Sequence, residues 1–137
     1  MRKINIYENN PKLEVFKDER GIIADVFFNA DINHVALITS EPNVLRGNHY
    51  HAATTQHILI TAGSLEYWYS DSASNVDSNY EICEVGDLAT SEPGEIHALR
   101  IGAKGCTFIA FTTGQRGGSD YESDTFRVPD ITKPKNN

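Results

Sequence analysis

Short runs rich in Val, Ile, Thr, Phe and Tyr recur along the chain, each closed by a cluster of turn residues. Such residues fit a pleated surface, and the pattern predicts strands over 2–7, 13–17, 22–28, 33–40, 44–51, 56–61, 64–70, 79–85, 96–101 and 105–112. Asn9-Asn10-Pro11, Glu41-Pro42-Asn43, Ala62-Gly63, the polar stretch 70–78, Pro93-Gly94 and Gly102 to Gly105 separate them. No window of eleven or more residues carries an apolar stripe at i, i+3, i+4 and i+7. The nearest case, 52–62, contains Thr54, Thr55, Ile58 and Ile60, whose branched β-carbons favour a strand. Many short strands at close turn spacing predict an all-β sandwich or barrel. Strands alternating with long helices, the mark of a parallel sheet, are absent from the pattern.

The chain of 137 residues is the size of a single domain and can bury a core without a disulfide or metal staple. The core of the barrel is expected within 10–112, a polar surface extension over 113–130, and a frayed end over 131–137. Twelve basic and nineteen acidic residues leave a net charge of −7. That balance argues against a nucleic-acid or anionic-membrane partner, though it leaves room for one local basic pocket. No apolar run approaches the length of a membrane span, and the N-terminal residues lack the apolar stretch of a signal peptide. Cys83 and Cys106 lie in apolar strands without Cys-x-x-Cys spacing, which predicts two buried free thiols. Together these features predict a soluble cytoplasmic protein.

Histidine is distributed unevenly. Three of the five, His49, His51 and His57, fall between positions 49 and 57. On a strand, His49 and His51 project from the same face, about 7 Å apart along the chain. Gln56 follows within a few residues, and His97 comes just after the Pro93-Gly94 turn. A closed barrel that brought His49, His51 and His97 together would present three imidazoles to one point. With an oxygen donor such as Gln56, they could hold a divalent first-row metal. The same imidazoles could instead serve as acid and base without metal. Strand alternation turns His57 away from Gln56, and His34 reads as an ordinary strand histidine.

This spacing resembles the two motifs of the cupin superfamily, G-x5-H-x-H-x3–4-E-x6-G and G-x5–7-P-x-G-x2-H. The chain supplies His49, His51, Gly63, Gly86, Pro93 and His97 at fitting distances. The resemblance implies a small single-domain cupin β-barrel, a double-stranded β-helix or jelly roll, with its site in the mouth. Two positions depart from the pattern: Gln56 stands where the motif has Glu, and the first Gly would fall near Asn43.

A narrower resemblance is to the sugar-nucleotide cupins, the deoxysugar 3,4-ketoisomerases and 3,5-epimerases. Asp18-Glu19-Arg20-Gly21 is similar to their D-x-R-G segment, and Arg46-Gly47-Asn48-His49-Tyr50 to the epimerase R-G-x-H-Y. His49-Tyr50-His51, Gln56 and Gly63-Ser64 resemble the H-A-H…Q…G-S run of the ketoisomerases, in which Gln is normal and no metal is needed. Asp120-Tyr121-Glu122-Ser123-Asp124 is loosely similar to their ending. The family's chemistry removes a proton beside a C4 ketone through an enolate. On these positions it implies His49 as base and His51 as second acid/base. Arg20 and Arg46 would hold a nucleotide diphosphate, Gln56 and Tyr50 would contact substrate, and Trp68 would stack on base or sugar.

The leading expectation is therefore an isomerase or epimerase of a nucleotide-linked 4-keto-6-deoxysugar in polysaccharide precursor synthesis. One alternative is a metal-dependent cupin, a dioxygenase or lyase on a small acid, with His49, His51, Gln56 and His97 as ligands. Another is a non-catalytic module that binds sugar nucleotide. The resemblance to small cupins also implies a homodimer, because a short barrel leaves strand edges to cover, and strand 2–7 is the expected exchanged piece.

Overall fold

The computed structural model describes residues 1–8, 13–71, 77–114 and 123–133. Ten strands occur among them: β1 (Arg2–Asn5), β2 (Val15–Asp18), β3 (Gly21–Ala24), β4 (His34–Ser40), β5 (Leu45–Tyr50), β6 (Gln56–Ser70), β7 (Asn79–Glu84), β8 (Asp87–Ser91), β9 (Ile96–Thr112) and β10 (Phe126–Arg127). No helix occurs among the described residues, so none is long and apolar enough to cross a membrane. The loop residues 72–76, the tripeptide Asp120-Tyr121-Glu122 and the terminal residues 134–137 lie outside the described residues.

The all-β expectation holds, but the strands are divided differently. Segments 56–61 and 64–70 form one fifteen-residue strand, and 96–101 with 105–112 form one of seventeen. These two strands pair antiparallel along their length, with register shifts around Ile60 to Leu65. Gly63 sits at the bend with φ +74°, and a β-carbon there would lie 2.0 Å from the Gly105 carbonyl oxygen. Glycine thus acts as a bend within continuous strands, where backbones must approach closely, and not as a turn between separate ones.

On its other side, β6 pairs first with β8 and then with β7. β9 pairs with β5 near its start and β4 near its end. Ile58 and Ala110 from one half share a core cluster with Tyr67 and Leu99 from the other, so the two halves fold face to face. Burying side chains such as Ile58, Ile60, Leu65 and Phe108 contributes about 1.5–3 kcal/mol each. A smaller cluster joins Leu59 of β6 to Ile6 and Leu88, with Val26 and Phe27 packed against it. Cys83 and Cys106 are free and buried, and burial pushes their thiols up to about 12 and about 11.

Two strands lie outside the expected 10–112 range. β1 pairs antiparallel with β8. β10 pairs with β5, setting Phe126 against Tyr50 and Arg127 against His49. β2 and β3 form a separate two-stranded hairpin.

Candidate functional site

The site begins with an irregularity in β5. Gly47 pairs with Ala98 and His49 with His97, so Asn48 is an extra residue in the ladder. Gly47 has φ +88°, and a β-carbon there would meet the His97 carbonyl oxygen at 2.8 Å. Asn48 takes φ 58°, a conformation that Asn tolerates. Its side chain donates to Asp130 at 3.3 Å and accepts from the Ile131 N–H at 2.9 Å. The bulge sets His49 opposite His97, and β5 ends one residue before His51.

The three imidazoles converge. Ring centroids lie 4.9 Å apart for His49 and His51, 4.7 Å for His49 and His97, and 5.2 Å for His51 and His97. Nitrogen atoms from all three fall within 4.8 Å of one another. His49 and His97 line a cavity of about 370 Å³, whose inner wall includes Leu99, Phe108 and Ala110. His51 and His97 are both buried and His49 is half-buried, and His51 is not part of the cavity lining.

His51 is held from both sides. Its Nδ1 lies 2.8 Å from the Asp124 carbonyl oxygen and its Nε2 3.0 Å from the Gln56 side-chain oxygen. A carbonyl oxygen only accepts, so Nδ1 carries a hydrogen. A neutral His51 then presents a lone pair to Gln56, which must turn its amide NH₂ inward. An imidazolium instead donates to both oxygens. The Asp124 carboxylate secures the following loop, accepting from Ala52 N–H at 2.8 Å, Ala53 N–H at 3.0 Å and the Thr54 hydroxyl at 2.8 Å. Partial desolvation opposes ionisation of Asp124, but these bonds and the charge of His51 outweigh it and hold the carboxyl below its usual range.

Of the other residues expected at the site, Gln56 and Arg46 line the same cavity. The Arg46 guanidinium donates to the Ser40 hydroxyl at 2.7 Å and the Thr39 carbonyl at 3.1 Å. Three expected residues are not brought there. Arg20 lies at the tip of the β2–β3 hairpin, tied to Asp18 at 2.6 Å. Trp68 alternates with the inward Tyr67 and stacks on Tyr80, with ring centroids 4.6 Å apart. Tyr50 stacks on Phe126 at 5.2 Å and fastens β10 to β5. His57 also stands apart: its Nδ1 meets the Thr90 hydroxyl at 2.7 Å and its ring meets Phe27 edge-on.

The cavity also includes residues not expected at the site from the sequence. His34 lines it because β4 alternates, turning His34, Ala36 and Ile38 inward and Val35 and Leu37 outward. Thr112, Thr125 and Arg127 also line it. The alternation of β4 was the available signal for His34. Nothing local in the sequence marks Thr125 or Arg127, because β10 reaches the site only by pairing with β5. Behind His97, the buried Tyr67 hydroxyl bonds to Ser91, and Glu95 pairs with the Met1 amine. Burial raises the Tyr67 hydroxyl well above its ordinary value, and raises Glu95 against its hydrogen bonds to the amine and Ser91.

No family model matches the sequence. Among solved structures, a 3,4-ketoisomerase from Helicobacter canadensis aligns with a TM-score of 0.73 at 16% identity, over 92% of this chain and 89% of that one. The fold is the cupin jelly roll. A dTDP-4-dehydrorhamnose 3,5-epimerase from Sulfolobus tokodaii aligns with a TM-score of 0.66 at 18% identity, over 81% of this chain and 70% of the epimerase. By sequence, 85 residues are 29% identical to a UDP-2-acetamido-2,6-beta-L-arabino-hexul-4-ose reductase from Pseudomonas aeruginosa. The match takes in 60% of this chain but only 22% of the reductase, so the chain spans about a fifth of that relative's length.

Proposed function

We propose that this cupin is an isomerase or epimerase of a nucleotide-linked 4-keto-6-deoxysugar. The supporting observation is the placement of two closely spaced imidazoles, His49 and His97, on the wall of one cavity with Arg46 and Arg127. In this reading His49 takes the proton from the carbon beside the ketone. The ketone oxygen becomes an enolate, stabilised by hydrogen-bond donation from the neighbouring imidazole. Return of a proton to the opposite face of that carbon gives an epimer. Return to the carbonyl carbon, with the hydroxyl carbon becoming the ketone, gives a ketoisomer. Arg46 and Arg127 would bind the diphosphate at the mouth.

In this reading His51, whose nitrogens face Asp124 and Gln56, would position the neighbouring rings. His97, which lines the cavity, would be the second acid/base in place of the expected His51. A direct test incubates the protein with dTDP- and UDP-linked 4-keto-6-deoxysugars and follows the sugar resonances by NMR. A rearranged sugar is expected, and an unchanged spectrum with every such substrate would count against the reading.

The metal-dependent alternative rests on one observation, the three histidines whose nitrogens lie within 4.8 Å of one another. Three imidazoles suit a first-row divalent ion, and the His51 Nδ1 bond to a backbone carbonyl is the kind that orients a metal-bound ring. His49, His51 and His97, with Gln56 as a weak fourth donor, would hold it. Such an ion would polarise a substrate oxygen. Under this reading, protein purified without added metal retains about one ion per chain, and less than about 0.2 counts against it. A module that binds sugar nucleotide without rearranging it is distinguished by binding with no change in the sugar spectrum.

A further inference from the structure

The cavity contains two hydroxyl groups that the chemistry above does not use. Thr112 ends β9 on the inward face that it shares with Phe108 and Ala110. It lies across from His34 on β4 and Gln56 on β6. Only 1% of the residue is exposed, and its Oγ1 has no hydrogen-bond partner among the described residues. Thr125 adjoins Asp124, lines the same cavity, and also has a buried Oγ1 with no such partner. A buried hydroxyl without a partner is costly, and a cavity that keeps two of them suits a ligand bearing hydroxyls of its own. The cavity wall is also apolar at Phe108 and Ala110, whereas the exposed Arg46 and Arg127 supply cationic groups.

We infer that Thr112 and Thr125 are specificity-determining residues that hydrogen-bond the sugar ring of a nucleoside diphosphate sugar. The inference rests on the sugar-nucleotide reading above and deepens it. The sugar enters first and lies deep, against the threonines and imidazoles. The diphosphate remains at the mouth with the arginines. Discrimination among sugars then comes from hydroxyl position, because a site built to bond a hydroxyl rejects a ligand that leaves its own buried groups unpaired.

The test is calorimetric binding of dTDP-glucose and UDP-glucose, and of dTDP and UDP alone, to the parent protein and to Thr112→Val, Thr112→Ser and Thr125→Val. Valine keeps the shape of threonine and removes the hydroxyl, whereas serine keeps the hydroxyl. Each valine variant is expected to lose about tenfold in affinity for the sugar nucleotide and none for the diphosphate, with Thr112→Ser binding like the parent. Unchanged sugar-nucleotide binding by both valine variants would overturn the inference alone. So would an equal loss for diphosphate and sugar nucleotide, or a loss in Thr112→Ser matching that in Thr112→Val. A parent protein that binds none of the four ligands would overturn the sugar-nucleotide reading and the inference with it.

Discussion

Gln56 presents an amide to His51 at 3.0 Å where the general cupin motif has a carboxylate. An amide adds no charge to a cation site, so its weak donation favours acid/base use of the histidines over metal binding. Gln56→Glu is expected to raise affinity for zinc or another first-row ion at least tenfold, measured by metal titration of the chelator-treated protein. Unchanged affinity would show that this position does not face the ion. His57 gives a pH prediction. Burial, with the charge of Arg2, lowers its pKa against the opposing pull of Glu92. The folded state therefore binds its proton less readily than the unfolded chain, whose histidine titrates near 6.5. Stability is full above that value and declines as pH falls through the lower folded pKa. His57→Gln should flatten the melting temperature between about pH 7 and 5 relative to the parent. The convergence of His49, His51 and His97 was legible in their spacing and in the turn before His97. The tie from His51 to Asp124 was not, because those residues are 73 apart in the chain.

The paired strands β6 and β9 organise the molecule, and their bend depends on close backbone approach at Gly63. Gly63→Ala places a β-carbon against Gly105 at a positive φ, so a loss of more than about 2 kcal/mol in urea unfolding is expected. An unaffected midpoint would mean that the strands need no glycine there. The composition of most strands was readable from their branched and aromatic residues. Their division was not. Ala62-Gly63 has the composition of a turn whether the chain reverses or merely bends, and only the partner strand decides between these. Asp87–Ser91 escaped notice because it is short and lies between turn residues, and Phe126–Arg127 because two residues show no periodicity.

At the scale of the whole molecule, β4 shows an outward row at Val35 and Leu37, 57% and 69% exposed. Phe28 and Ile23 are more exposed still than Val35, and β4 pairs only with β9 among the described strands. Apolar side chains beside an unpaired strand edge favour association with a second copy. Light scattering at micromolar concentration should give twice the mass of one chain, and a monomer would contradict this. The jelly roll itself was legible in two motifs, but the full lining of the cavity was not, because it draws on β4, β5, β6, β9 and β10 together. Whether an imidazole there removes a proton bound to carbon is tested most directly in deuterated water. A dTDP- or UDP-linked 4-keto-6-deoxysugar would be mixed with the parent protein and with His49→Gln, and the sugar followed by NMR. Deuterium is expected at C3 or C5 for an epimer, or at C4 for a ketoisomer, with the parent, at a rate lowered at least a hundredfold in the variant. No deuterium at any of these carbons, or equal incorporation by both proteins, would contradict the assignment of His49 as the base.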